Sequence, residues 1–496
     1  MATGQFLSKM NVSVRKQENV LYPDKNRVIA RYFYNGDQRA REIILMVLNL
    51  PDEEVQLALN QTLREFSIRH RNISKIFKKH FNNLLFHFAD LEIDLAKVSE
   101  QRKLLIGSFF THEFSVEAAA LFNPSIVEDP DQSGLANGER RVILSLRSTG
   151  EGHISSLVFR RGLLNNEGEF IIQPAGHFIE EAEMIKRHTY EKEKFLEKLK
   201  EMDISPKLTE LIVEELPERF IYRQLVKHVN EILRNNNLSP ERHRAVEKTI
   251  WLADAHYEVS FSLDTDISGR VIFPVSETES KGIEDARFVR FRHDDGSITY
   301  YATYTAYDGV TILPKLLQTK DFYNFKVIPL HGPFASNKNL ALFPRKIKGK
   351  YAMLSRVDGV NNYIMFSDLV HVWENAQILQ RPRRPWEFIQ VGNCGSPIET
   401  DRGWLLITHG VGPMRKYCIG ASLLDLDDPS REIGRLKEPL IVPDEDEREG
   451  YVPNVVYTCG SIIHNGELVV PYAMSDYCTG FANIPLNELL EELLRG

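Results

Sequence analysis

Apolar residues first recur at helical spacing from Asp37. Ile43, Ile44, Val47 and Leu48 form one stripe. Pro51 and the acidic Asp52-Glu53-Glu54 then mark the start of a second helix carrying Leu57, Leu59, Leu63 and Phe66. A third stripe, Ile73, Ile76, Phe77, Phe81, Leu84, Leu85 and Phe88, predicts a helical hairpin or small bundle over residues 37–100, its aromatic side facing a core. From Phe114 the texture becomes short β-type runs, Ala118–Ile126, Arg141–Leu146 and His153–Phe159, separated by Asp129-Pro130-Asp131 and Gly134–Gly138. Helical texture returns over residues 177–255. Ser205-Pro206 and Ser239-Pro240-Glu241-Arg242 are its start signals, and Glu180–Lys200 reads as a solvated helix face. β texture resumes from Tyr257 to Ile484, and the chain closes on a short amphipathic helix, Leu486–Leu494.

The β portion contains a weak repeat. Arg141–Arg147, Ile298–Tyr304, Tyr351–Arg356, Trp404–His409 and Leu468–Ala473 each follow a turn rich in Gly or charge and present branched or aromatic residues before a polar one. The later intervals are roughly 50–60 residues, the spacing of multi-stranded propeller blades. The prediction is a mainly β chain forming a five-bladed β-propeller, with an irregular β-sandwich as the alternative. Its divisions are an N-terminal helical extension (1–110), a first blade region (111–176), a helical insertion (177–256), the remaining blades (257–485) and a terminal helix (486–496). In a propeller the strand ends Arg147, Tyr304, Arg356 and His409 would converge on a basic, hydroxyl-rich pocket suited to a polyol and an anion.

At 496 residues the chain exceeds one ordinary core, and its formal net charge of −8 argues against a general nucleic-acid binder. Four cysteines, Cys394, Cys418, Cys459 and Cys478, include no C-x-x-C pair, which fits reduced thiols in a cytoplasm. The N-terminus lacks a signal-peptide core and no run of about 18 apolar residues occurs, so no membrane segment is expected. No His/Asp/Glu cluster has metal-ligand spacing, and no metal is expected.

Chemistry concentrates at Lys281-Gly-Ile-Glu-Asp-Ala-Arg-Phe-Val-Arg290, where Glu284 and Asp285 precede Arg287 at the mouth of an alternating run. A carboxyl group beside a cation suits general acid–base work, and also suits an ordinary salt bridge.

These residues resemble glycoside hydrolase family 130, inverting β-mannoside phosphorylases with some hydrolase members. The matching pieces are Gly282–Arg287, Phe343–Arg356, Pro397–Gly410, Gly420–Asp427 and Val452–Val455. The resemblance implies a five-bladed propeller and covers about 115–176 and 257–485; it says nothing of the helical additions. It implies that Asp285 is the catalytic acid, acting directly or through a mannose hydroxyl. Asn123, Arg147 and Asp476 would hold the mannose, with Glu284, Arg287 and Tyr304 as further sugar-side candidates. Lys338, Asn339, Arg356, Gln390, His409 and Tyr417 would form the phosphate side. Lys338 stands where the family usually has Arg, losing a bidentate fork, and Gln390 replaces a Lys, losing a charge.

Inverting cleavage by water needs a second carboxylate as base, roughly 6.5–9.5 Å from the acid, whereas phosphate needs cations and no base. The nucleophile side implied by the resemblance holds no carboxylate, which favours phosphorolysis with inorganic phosphate as co-substrate and no other cofactor. The expected partner is a manno-oligosaccharide, and the helical segments could form a homo-oligomer contact. A β-mannosidase using Glu387 or Glu399 as base and a non-catalytic glycan-binding propeller remain the alternatives.

Overall fold

The five repeat segments are all strands, and each belongs to a different group of strands. In the computed structural model, residues 11–495 are described apart from 175, 177, 186–188, 202, 203, 206–208, 210, 211 and 235–238. The chain is mainly β, with 37% strand against 26% helix, so strands make the frame. The first group orders Ala120–Glu128, Arg140–Thr149 and Ser155–Leu164; the second orders Gly282–Arg292, Ile298–Tyr307, Ile312–Thr319 and Asn324–Pro329. One parallel pair, Gly282 with Ser155, joins these two into a single sheet. The third sheet begins at Ala341–Leu342 and Tyr351–Ser355, the fourth at Gln390–Asn393 and Gly403–Val411, and the fifth at Val456–Tyr457 and Glu467–Met474.

The repeat therefore marks the second strand of each group. Second strands are flanked on both sides and buried on both faces, so they read as continuous branched and aromatic runs. Ile298–Tyr307 shows this, with only its end residues partly exposed. The first strands are shorter or interrupted by bulges and have no such signature.

Hydrogen bonds link the groups in sequence and then link the fifth to the first. Phe288 N–H donates to Ser125 Oγ at 3.0 Å, Arg292 N–H to Pro344 O at 2.9 Å, Tyr417 N–H to Asn454 O at 3.1 Å, and Cys459 N–H to Pro124 O at 2.8 Å. Asn339 and Asn393 exchange amide-to-carbonyl bonds of 3.1 and 2.6 Å between the third and fourth. The short strand Arg15–Lys16 adds to the fifth sheet by pairing with Asn483 and Ala482. Between the first two groups, Phe159 packs against Phe288, Phe322 and Phe325 with ring centroids 5.9–6.1 Å apart.

The N-terminal helices are Asp37–Asn49, Asp52–Phe66, Ile73–Asn82, Leu85–Asp90 and Glu100–Phe109. The predicted third stripe is thus two helices: the turn ending at Asn82 tightens, with Asn83 N–H donating to His80 O at 3.2 Å, before Leu85 restarts the spiral. Their core contains Ile44, Val55, Phe81 and Phe88. Gly107 permits the closest crossing, since a Cβ there would lie 2.0 Å from Phe77 O.

The 177–255 insertion is less helical than its composition suggests. Helices there include Lys192–Glu201, Tyr222–Arg234 and Pro240–Asp254, but Glu180–Glu181, Glu183–Ile185, Thr189–Glu191 and Arg219–Ile221 are strands. Glu183–Ile185 pairs with Tyr257–Ser260 and Glu180–Glu181 with Arg270–Val271, so long-range edge pairing overrides local helix propensity. The predicted helix start at Ser205-Pro206 lies partly outside the described residues, at Pro206. Among the described residues no helix is long and apolar enough to cross a membrane.

Within the second group lies a fully buried ion pair, Lys315 Nζ to Glu279 Oε1 at 2.6 Å, with both side chains 0% exposed. The Tyr257 and Tyr304 hydroxyls also donate to Glu279. Burial, opposed by Glu279, lowers the Lys315 pKa. Removing one partner strands the other charge, so Lys315→Met should reduce unfolding free energy by about 3–5 kcal/mol in urea titrations. Lys315→Met/Glu279→Gln should lose less than the single variant; an equal or greater loss would refute the pairing.

Candidate active site

Adjacent side chains in a flat strand point to opposite faces. Glu284 and Asp285 nevertheless meet the same guanidinium. The pairing of Gly282–Arg292 with Ile298–Tyr307 slips between Glu284 and Arg287, and Asp285 takes a left-handed φ of 53°. Arg147 Nη2 donates to Glu284 Oε1 at 2.9 Å and Nη1 reaches Asp285 Oδ1 at 3.4 Å, while its Nε donates to Ser155 Oγ at 3.0 Å. A matching slip between Phe122 and Ser125 in the first strand gives Asn123 a φ of 48°. Its Nδ2 donates to Asp285 Oδ1 at 2.7 Å. Asn339 (φ 67°) and Asp476 (φ 51°) share this conformation. Four of the sequence-derived candidates thus occupy left-handed positions, and all are Asn or Asp, which tolerate them best.

Arg287, 2% exposed, donates through Nη2 to the Tyr457 hydroxyl at 2.5 Å and through Nη1 to the Asp285 carbonyl at 3.2 Å. Asn339 donates to the same hydroxyl at 2.7 Å and to Asn393 O at 3.1 Å. Both amide hydrogens of Asn339 are therefore in use, bracing Tyr457 and the Asn393 turn. Tyr457 and Asn393 were not singled out in the sequence. Their only signal was proximity to matching pieces, Val452–Val455 and Pro397–Gly410.

A second cluster comes from the third and fourth sheets. Arg356 Nη1 faces His409 Nε2 at 3.5 Å, and the other imidazole nitrogen faces Asn393 O at 3.2 Å. Burial, with Arg356 and Arg287 adding to it, holds the His409 pKa well below its usual value. The ring is neutral at physiological pH, contrary to any role as a cation: Nδ1 donates to the carbonyl and Nε2 accepts from Arg356. Tyr417 stacks on His409 with centroids 6.0 Å apart, and its hydroxyl accepts from Gln390 at 3.3 Å. Among the described residues, Arg356 has no carboxylate within ion-pair distance, and its Nε is buried without a hydrogen-bond partner. Asn123 Oδ1 is buried and unpartnered too. Orphaned polar atoms of this kind are costly unless a ligand or water meets them.

Two candidates sit elsewhere than expected. Lys338 Nζ bonds Glu284 Oε2 at 2.7 Å, so its charge is shared with the carboxylate side. Tyr304 does not join the cluster: it is 4% exposed and its hydroxyl is held by Glu279 at 2.6 Å, because its side chain faces the core between the first two groups. The possible bases are also engaged elsewhere, Glu387 with Arg435 at 2.6 Å and Glu399 with Arg345 at 2.7 Å. Among the described residues no group of three His, Cys, Asp or Glu side chains could hold a metal ion.

A family model, glycoside hydrolase family 130, described as beta-1,4-mannooligosaccharide phosphorylase, matches residues 241–495, just over half of the chain. The chain belongs to glycoside hydrolase family 130. A 1,2-beta-oligomannan phosphorylase of Thermoanaerobacter sp. (strain X514) is 37% identical over 221 residues, 43% of this chain and 72% of that protein. A beta-1,2-mannobiose phosphorylase of the same strain is 38% identical over 213 residues, 42% of this chain and 68% of that one. The solved beta-1,2-mannobiose phosphorylase of Listeria innocua, in complex with beta-1,2-mannobiose, aligns over 77% of this chain and 94% of its own, with 22% identity and a TM-score of 0.45.

In this family 130 member, the three site carboxylates differ in their surroundings. Burial raises the Asp285 pKa, but Arg147, Arg287, Lys338 and the Asn123 amide outweigh it and hold the group below the ordinary carboxylate range. Burial pushes Asp476 up to about 7; Arg147 opposes this and the charges of Asp285 and Glu284 add to it. Asp476 therefore holds its proton closer to neutrality than Asp285 does. Its folded value lies above the unfolded one, so the stability it contributes is complete below about pH 4 and is lost as pH rises through about 7. Melting temperatures at pH 5 and pH 8 should therefore fall more steeply for the wild type than for Asp476→Asn. Equal slopes would place that titration elsewhere.

Proposed function

We propose that this chain is an inverting β-mannoside phosphorylase, transferring a terminal mannosyl group from a β-linked manno-oligosaccharide to inorganic phosphate. The observation that carries this reading is the segregation of charge. Glu284, Asp285 and Asp476 gather around Arg147 on the first, second and fifth sheets. Arg356, beside neutral His409, Tyr417 and Gln390, comes from the third and fourth and keeps an uncompensated charge among the described residues. An anionic nucleophile needs such a cation and no base. The names of the relatives support the reading, as does the engagement of Glu387 and Glu399 elsewhere, which weakens hydrolysis.

In the proposed reaction a phosphate oxygen bonds the anomeric carbon as the glycosidic C–O bond breaks. The leaving oxygen takes a proton originating at Asp285, directly or through a mannose hydroxyl, giving α-mannose 1-phosphate and a shortened acceptor. Asn123, Arg147 and Asp476 orient the sugar; Arg356 and, once drawn from Glu284, Lys338 bind phosphate. Asp285 is held ionised by Arg147, Arg287 and Lys338, so it takes up a proton from solvent as the complex forms. A phosphate dianion near Arg356 and Lys338 cancels part of the field that depresses Asp285, which makes phosphate binding a condition for proton delivery.

The five linked groups of strands are proposed as the blades of a five-bladed propeller, with residues 1–110 and 177–256 as additions to it. Leu57 and Ile68, 70% and 75% exposed on and just after the second N-terminal helix, support a contact there with a second subunit. Four buried, unpaired cysteines support placement in a reducing cytoplasm.

Incubation with β-1,2- and β-1,4-mannobiose should release mannose 1-phosphate only when phosphate is present. Equal release of free mannose without phosphate would favour the mannosidase. Asp285→Asn should reduce turnover by at least about 10²-fold with the fold retained. Arg356→Ala should raise the KM for phosphate by about tenfold or more, and unchanged phosphate kinetics would remove Arg356 from the phosphate site.

A further inference from the structure

The end of the second group of strands that carries Asp285 also forms one wall of a cleft whose other wall is the helical insertion. Register fixes the direction. Gly282, at the start of the Asp285 strand, pairs with Tyr307; Tyr307 pairs with Ile312; Lys315 pairs with Pro329. The hairpin tip at Asp308–Thr311 and the chain beyond Pro329 therefore leave the sheet at the Asp285 end. Between this rim and helix Pro240–Asp254 lies a cavity of about 790 Å³, lined by Glu247, Lys248 and Trp251 from the helix and by Asp308 and Thr311 from the hairpin. Its margin reaches Ser336, close in the chain to Lys338. The helix is tied to this rim. Asp254, its last residue, accepts a hydrogen bond of 3.1 Å from Glu277 N–H, in the turn that leads into the Asp285 strand.

Resting on the phosphorylase reading above, we propose that this cleft is a distal acceptor subsite, holding sugar units of the β-mannoside chain beyond the scissile bond. Its volume falls within the roughly 300–1,000 Å³ of small-molecule sites. Half-buried Trp251 offers a flat ring with a polar edge, which suits the C–H face of a pyranose with hydroxyls at its margin. Carboxylates and lysines both line the cleft, so neither sign dominates. That mixture matches a neutral polyhydroxylated chain, whose hydroxyls both donate and accept, better than a polyanion. The insertion thereby acquires a role in selecting acceptor length.

The test compares kcat/KM for phosphorolysis of di- and tetrasaccharides in the β-1,2 and β-1,4 series. The tetrasaccharide-to-disaccharide ratio should fall about tenfold in Trp251→Ala and in Thr311→Arg. Thr311 is exposed on the hairpin, so its replacement narrows the cleft without disturbing the helix core that Trp251 packs against. An unchanged ratio in folded Thr311→Arg would overturn the proposal. Calorimetric binding to Asp285→Asn protein in the absence of phosphate separates this from the catalytic reading: a tetrasaccharide should still bind about tenfold more weakly when Thr311→Arg is added. Equal affinities with and without Thr311→Arg would overturn the cleft assignment whatever the enzyme's activity.

Discussion

The site depends on a left-handed backbone at Asp285. In an unbroken strand, Glu284 and Asp285 would face opposite sides of the sheet, and one guanidinium could not hold both. The bulge turns both carboxylates toward Arg147, a residue of a different group of strands, and so converts a local kink into a bond between groups. Left-handed conformations cost about 1–2 kcal/mol for most residues, less for Asn and Asp. Asn123, Asn339 and Asp476 repeat the device on the first, third and fifth sheets. The clustering of these conformations around one charge network marks the place where the fold bends to position polar groups.

That geometry produces an uneven electrostatic landscape. Arg147 serves two carboxylates directly and influences a third, so Asp285 stays ionised while the more weakly compensated Asp476 retains a proton to near neutrality. Across the site, a neutral imidazole orients Arg356 without competing for its charge. His409 is thus better understood as a fixed acceptor than as another cation, and the Asn393 carbonyl selects the tautomer that makes this possible. Lys338 is drawn to Glu284, leaving Arg356 as a cation of this site without a carboxylate partner among the described residues.

Much of the frame was legible because second strands are buried on both faces, and burial leaves continuous apolar runs. The residues that do the positioning lie mostly on the first strands, or at their mouths, where bulges interrupt the alternation that sequence patterns detect. Asp285 was reachable through its motif and family resemblance. Tyr457 was not, because its importance arises from meeting Arg287 and Asn339 across large sequence separations. Tyr304 shows the converse failure: a hydroxyl at a strand end looked like a ligand, but the face it occupies leads to Glu279. In the insertion, the Glu- and Lys-rich stretch was read as helix because its strand partners, Tyr257–Ser260 and Arg270–Val271, are distant in the chain.

The pairing of Arg15 with Asn483 and Lys16 with Ala482 has a temporal consequence. During synthesis Arg15–Lys16 must wait until Ala482 and Asn483 have been made before it can find its edge. Until then the outer edge of Cys478–Pro485 is open at Ala482 and Asn483, and an exposed strand edge invites association with other chains. That pairing is a closure of very high contact order, slow by topology. Once formed, the pairing covers the outer edge of Cys478–Pro485, whose other edge is already held by Glu467–Met474.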